Sequence, residues 1–164
     1  MNKNNQISKN FTVEEFTYSR KAIENGIDNM PGESQIAAIR LLITQLIQPL
    51  RDRLGEPIAI TSGYRCPGVN RLVGGVVNSQ HTRGEAADCY AACGPERLLE
   101  VLIDSGLPFD QAIVYRKKKF LHLSYKNGAN RKQIIREGQL WIYAISWPRI
   151  NHYWSISHII LKIG

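Results

Sequence analysis

No run of about 18 apolar residues occurs in the chain, which excludes a membrane-spanning helix. The opening Met1-Asn2-Lys3-Asn4-Asn5 has no apolar stretch either, so no secretory signal is expected. That implies synthesis in the cytoplasm, with another route of delivery if the target lies outside. Cysteine is scarce: Cys66, Cys89 and Cys93 are an odd set, which argues against a disulfide framework and for a reducing compartment. Cys89 and Cys93 have three residues between them rather than the two of a zinc knuckle, so all three cysteines are expected as small buried residues or free thiols. Internal repeats and low-complexity tracts are absent.

What is present fits one globular domain. The chain has 164 residues, 43% hydrophobic and 21% charged, enough for a single core. Its formal charge of +7 favours polyanionic company such as nucleic acid, anionic membrane or cell wall, without choosing among them. No helix-turn-helix or aromatic-basic strand motif supports specific nucleic-acid binding. The run Arg116-Lys117-Lys118-Lys119 is expected as a solvated turn.

Local patterns give the order of elements. Thr12-Val13-Glu14-Glu15 has the capping-box form, so a short helix begins at Val13. Ile36, Ile39, Ile43, Leu46, Leu50 and Leu54 recur at helical spacing up to Gly55, with Pro49 expected to kink the helix. Pro57 to Ser62 and Glu85 to Tyr90 look like strands, with a short helical stretch from Asn70 to Val73 and a Gly74-Gly75 loop between them. Pro95 to Ser105 is expected as a helix, followed by a hairpin of Gln111 to Tyr115 and Phe120 to Tyr125. Residues 138–164 hold all three tryptophans with little regular period, and are set apart from a domain over 1–137 as an aromatic tail of unknown role.

One constellation carries chemistry. His81 ends the loop, Gly84 allows a tight turn, and Asp88 follows in the strand with the small Ala86 on its face. His122 alternates with Leu121 and Leu123, so it points away from the apolar face of its strand. Two imidazoles and one carboxylate would leave a zinc ion one open position, the catalytic rather than the structural pattern. His152 and His158 lie in the tail without an acidic neighbour.

The surrounding residues resemble the zinc D-alanyl-D-alanine carboxypeptidase family. The resemblance rests on Ser62-Gly63-Tyr64-Arg65, on Ser79-Gln80-His81-Thr82-Arg83-Gly84-Glu85-Ala86-Ala87-Asp88, and on Phe120-Leu121-His122-Leu123-Ser124-Tyr125. Phe109-Asp110-Gln111 and Asn130-Arg131-Lys132-Gln133 match further segments, and Ile7 to Phe16 is similar to members from bacteria and phages. The resemblance implies an α+β fold, a small antiparallel sheet flanked by helices, shared with the hedgehog signalling domain. It implies Zn2+ held by His81, Asp88 and His122, a peptidoglycan stem peptide as partner, and Arg65 as the group meeting a substrate carboxylate. Ser79 and Gln80 are expected either to bind the substrate backbone or to orient His81.

The chain departs from this family at the general base. Relatives carry a carboxylate three residues before the last histidine ligand, where this chain has Lys119, or a histidine two residues before it, where it has Phe120. Some have a glutamate near Tyr115. Lys119, as a holder of the oxyanion, and Tyr115, as an acid, are the catalytic candidates left. A non-catalytic, zinc-stabilised module that binds wall peptide is the alternative.

Overall fold

A computed structural model describes residues 5–137; the expected aromatic tail lies outside the described residues. Two short helices open the chain, α1 (Val13–Thr17) and α2 (Arg20–Glu24). Thr12 caps α1 by accepting from the Glu15 amide at 3.4 Å, and Ser19 caps α2 in the same way. The long apolar stripe follows as α3 (Glu33–Leu42), a π-helical turn (Ile43–Ile47) and α4 (Gln48–Leu54), ended by Gly55 in the left-handed conformation. Pro49 therefore does not simply kink an α-helix. Its ring would collide with the carbonyl four residues back, and the helix widens just before it, where the Gln48 amide bonds the Ile43 carbonyl.

The remaining elements are β1 (Ala59–Ser62), α5 (Pro67–Leu72), a 3-10 turn (Gln80–Arg83), β2 (Ala86–Tyr90), α6 (Pro95–Ser105), β3 (Gln111–Tyr115), β4 (Phe120–Ser124) and β5 (Gln133–Arg136). They form one sheet in the order β1-β2-β4-β3-β5. Three pairings are antiparallel, as expected of the small sheet, while β5 adds a parallel edge against β3. Four residues, Gln-Ile-Ile-Arg, carry no hairpin signal, and a parallel pairing is not local in sequence, so this strand leaves little trace in the pattern.

Alternation sorts the two faces of the sheet. Ala87, Cys89, Ala112, Val114, Leu121 and Leu123 join Ile39, Leu42, Leu46, Leu50, Leu98 and Leu102 in one continuous core. Asp88, His122, Ile113 and Tyr115 take the other face, where they line a cleft of about 1060 Å³. No helix among the described residues is long and apolar enough to cross a membrane.

Candidate metal centre

Register brings two of the candidate ligands together: Asp88 of β2 lies directly opposite His122 of β4. The third arrives from the loop. Ser79 caps the 3-10 turn by accepting from the His81 amide at 3.3 Å, and Gly84 closes the turn at φ 74°. A Cβ on Gly84 would lie 2.5 Å from the Gln35 carbonyl oxygen, so the turn can press this closely on α3 only as glycine.

The three donor atoms form a small triangle. His122 Nδ1 is 2.9 Å from Asp88 Oδ1, His81 Nε2 is 3.3 Å from the same oxygen, and the two ring nitrogens are 3.2 Å apart. All three residues are buried. Zinc bonds of about 2.0–2.1 Å in a tetrahedron require donor separations of about 3.3 Å, close to these edges.

The proton count also fits a cation. His81 Nδ1 lies 2.7 Å from the Gly63 carbonyl oxygen, which can only accept, so Nδ1 carries the hydrogen. Burial pushes the His81 imidazole below its usual range despite the neighbouring Asp88, so the ring is neutral at pH 7. Nε2 then turns a bare lone pair towards a carboxylate oxygen. Burial is the largest influence on the Asp88 carboxyl and opposes its anion, but the two imidazoles, His122 first, together outweigh it and hold the carboxyl well below the usual carboxylate range. His81 Nε2 and Asp88 Oδ1 thus both turn lone pairs to the centre of the triangle, where the His122 Nδ1 hydrogen is the one proton within reach of them and a bound cation would take its place.

The Ser62-Gly63-Tyr64-Arg65 segment backs this triangle. A Cβ on Gly63 would meet the Phe16 carbonyl oxygen at 2.2 Å, and Tyr64 packs in the core. Arg65 donates from Nη2 to Asp88 Oδ2 at 2.8 Å and from Nε to Ser62 Oγ at 2.8 Å. Gln80 is fixed from another side, its Nε2 donating to Asp110 Oδ2 at 3.0 Å. Asp110 is itself clamped by Arg131, through Nε at 2.8 Å and Nη2 at 2.6 Å. Burial opposes ionisation of Asp110, yet the Arg131 pairing outweighs it and lowers its carboxyl below the usual range. Neither Asp110 nor Arg131 had a role assigned from sequence, although both fall in the matched segments. A buried acid and a basic residue in neighbouring matched segments were the available signal.

The basic turn divides unevenly. Lys119, at φ 59°, is exposed and does not line the cleft, whereas Lys118 does. Lys118 Nζ stands 5.3 Å from the centre of the Tyr115 ring, which packs on Phe120 at 4.6 Å. Burial, followed by the charges of Asp88 and Glu137, pushes the Tyr115 phenol up, so it keeps its proton through neutral pH. Which lysine of a basic turn faces a site is decided by turn geometry and cannot be read from composition. Arg20, Lys21, Arg83, Lys126 and Arg131 also line the cleft, while Asp88 and Asp110 are its only acids among the described residues. All three cysteines are free, and Cys89 faces the core rather than the metal triangle.

A family model described as Peptidase M15 matches residues 9–124, most of the chain and all three residues of the triangle. No curated protein matches the chain.

Proposed function

The chain belongs to the peptidase M15 family, and from that premise we propose that it is a zinc peptidase cleaving the stem peptides of bacterial cell-wall peptidoglycan. The bond cut is that of a D-Ala-D-Ala carboxypeptidase or of an endopeptidase between L- and D-residues. The observation that carries this reading is the buried triangle of His81, Asp88 and His122 opening on a cationic cleft. In this reading His81 Nε2, Asp88 Oδ1 and His122 Nδ1 hold the metal. Bound zinc supplies Lewis-acid chemistry, polarising a carbonyl and making water acidic enough to act near neutral pH.

The chain's own groups bind and orient the peptide. Stem peptides carry free carboxylates, and Arg20, Lys21, Lys118 and Lys126 on the cleft wall attract them. Arg65 contributes Nη1, which has no partner among the described residues, to one such carboxylate. Gln80, its amide nitrogen committed to Asp110, offers Oε1 as an acceptor without a protein partner for a backbone N–H of the substrate. Ser79 supports His81 from the same turn. The protonated Tyr115 serves as a hydrogen-bond donor and proton source for the leaving amine, with the Lys118 ammonium beside it to favour negative charge on the reacting carbonyl.

A second reading has its own observation. Both acids of the cleft are engaged, Asp88 by the imidazoles and Arg65, and Asp110 by Arg131 and Gln80. No uncommitted carboxylate therefore lines the cleft, among the described residues, to take a proton from water. A zinc-stabilised module that binds wall peptide without cutting it, such as a phage structural component, needs none.

One experiment separates these readings. Zinc-loaded protein is incubated with peptidoglycan, and bound and released fragments are identified by mass. Free D-alanine selects the carboxypeptidase and severed stem peptides select the endopeptidase. Retention without any product selects the binding module, and neither product nor retention rejects wall peptide as the partner.

A further inference from the structure

We infer that Arg65 is a positioning residue for the metal centre: held by Ser62, it grips the outer oxygen of Asp88 and keeps the inner oxygen turned to the two imidazoles. This rests on the reading of His81, Asp88 and His122 as metal ligands. The Arg65 and Asp88 side chains are only 16% and 9% exposed, so water is poorly placed to replace either partner. The carboxylate is divided between two tasks, Oδ1 towards His122 at 2.9 Å and Oδ2 towards Arg65 at 2.8 Å. The guanidinium is divided as well, since Nε is committed to Ser62.

A two-toothed clamp on a substrate carboxylate needs two adjacent N–H groups of the fork. The Nε–Nη2 edge is already occupied by Ser62 and Asp88, so a substrate carboxylate can be met only at the Nη1–Nη2 end, where it would share Nη2 with Asp88. The same short segment also fixes the histidine from the loop. The Arg65 amide donates to the His81 carbonyl oxygen at 3.2 Å, and the Gly63 carbonyl accepts from His81 Nδ1 at 2.7 Å. On the strand side, an irregularity between Ile60 and Ser62 sets Ser62 opposite Asp88, and Thr61 Oγ1 donates to the Asp88 carbonyl oxygen at 3.0 Å. Residues 61–65 therefore form an outer shell around two of the three ligands, and Arg65 is the member that reaches a donor carboxylate.

Two effects of Arg65 on a bound cation oppose each other. Its positive charge repels the metal, while its grip fixes the rotamer of Asp88. Positioning predicts that losing the residue weakens metal binding; repulsion alone predicts that it tightens binding. The sign of the change is thus diagnostic.

Zinc affinity is measured by competition with a chelator for wild type, Arg65→Ala, Arg65→Gln, Arg65→Lys and Ser62→Ala, with the cobalt(II) visible spectrum as a readout of ligand geometry. Outer-shell partners typically change metal affinity about 10–100-fold, and a loss in that range is expected for Arg65→Ala and Arg65→Gln, with an altered cobalt spectrum. Arg65→Lys restores part of it, because an ammonium can donate to Oδ2 but cannot also hold Ser62. Ser62→Ala moves the same way by less, and it keeps the test alive should Arg65→Ala fail to fold. Folded Arg65→Ala and Arg65→Gln proteins with unchanged or tighter zinc binding and a wild-type cobalt spectrum overturn the inference while leaving the metal site standing. A wild type that binds no zinc overturns both.

Discussion

The two sides of the cleft are built in opposite ways. On the side of β1, β2 and β4, two of the three groups that converge on the centre are held by other parts of the chain: His81 by Gly63, and Asp88 by Arg65, which Ser62 holds in turn. On the side of the β3–β4 turn, Tyr115 and Lys118 stand against each other with no bond from their polar atoms to the protein among the described residues. The first arrangement suits groups whose geometry must not change, since fixed ligands lose little freedom when an ion binds. The second suits groups that meet a substrate and donate to it. On the proposed reading, a site held this firmly around His81 and Asp88 and this sparse in proton-handling groups should show sharp effects of mutation on metal binding and graded effects on turnover.

The largest effect that could break this contrast is expected at Asp88. Asp88→Ala removes the only anionic member of the triangle and should abolish stoichiometric zinc, measured by elemental analysis after dialysis. It also strands Arg65, which is mostly buried at 16% exposure, and removing one partner of such a pair costs about 3 kcal/mol. Chemical denaturation of the metal-free proteins would show that loss. A metal-free Asp88→Ala as stable as wild type would mean that Arg65 readily finds water, and the claim of a tightly held side would fail.

Gly63→Ala ranks next. Its Cβ would sit 2.2 Å from the Phe16 carbonyl oxygen, a backbone atom that cannot swing aside. Overpacking of this kind costs about 1–3 kcal/mol. Because Gly63 also anchors His81, zinc affinity should fall along with stability. Stability lost without any change in zinc affinity would show that the His81 anchor is dispensable.

Acid stability sharpens the comparison at Asp110, whose carboxyl is lowered in the folded protein by Arg131. A depressed folded pKa contributes stability that is fully present above the unfolded value of about 3.9 and is lost as pH falls through the lower folded value. Asp110→Asn should therefore be less stable than wild type at neutral pH, and the gap should close as the solution is acidified below about pH 4. Denaturation midpoints at a series of pH values test this; a gap of constant size would assign the loss to packing rather than charge.

Much of this architecture was legible from pattern. The apolar spacing from Ile36 to Leu54 gave the long helix, and alternation around Leu121, His122 and Leu123 separated core from cleft, because burial imposes a period on each element. Two features were not legible. The widening before Pro49 depends on how one ring is accommodated, and β5 depends on a partner distant in sequence. Within the site, convergence of His81, Asp88 and His122 followed from motif and spacing. The pairing of Arg65 with Asp88 did not, because a guanidinium near a carboxylate-binding site has two candidate anions and sequence names neither. The choice of lysine in the β3–β4 turn was hidden for a different reason: four consecutive basic residues differ only in backbone direction, and Lys119 adopts the left-handed conformation.

The smallest expected effect lies in that turn, and it tests the sparse side directly. Lys118 lines the cleft beside Tyr115, while Lys119 is exposed one residue further on. If the ammonium of Lys118 favours charge developing on the substrate, Lys118→Ala should lower kcat more than Lys119→Ala, at saturating zinc and on a peptide substrate. General acid-base and electrostatic assistance from a positioned group contributes about 10²-fold or more, but an exposed lysine on a mobile stem should sit well below that, at about threefold to tenfold. Tyr115→Phe, which keeps the ring against Phe120 and removes only the hydroxyl, separates packing from proton donation. A fall in kcat with little change in KM marks the hydroxyl as a transition-state donor, whereas a rise in KM alone marks it as a binding group. The reverse order for the lysines, with Lys119→Ala the more damaging, would return the role to the position that matches the family's carboxylate. It would also mean that the turn rearranges when substrate binds, and that this side of the cleft is shaped by its ligand rather than by the fold.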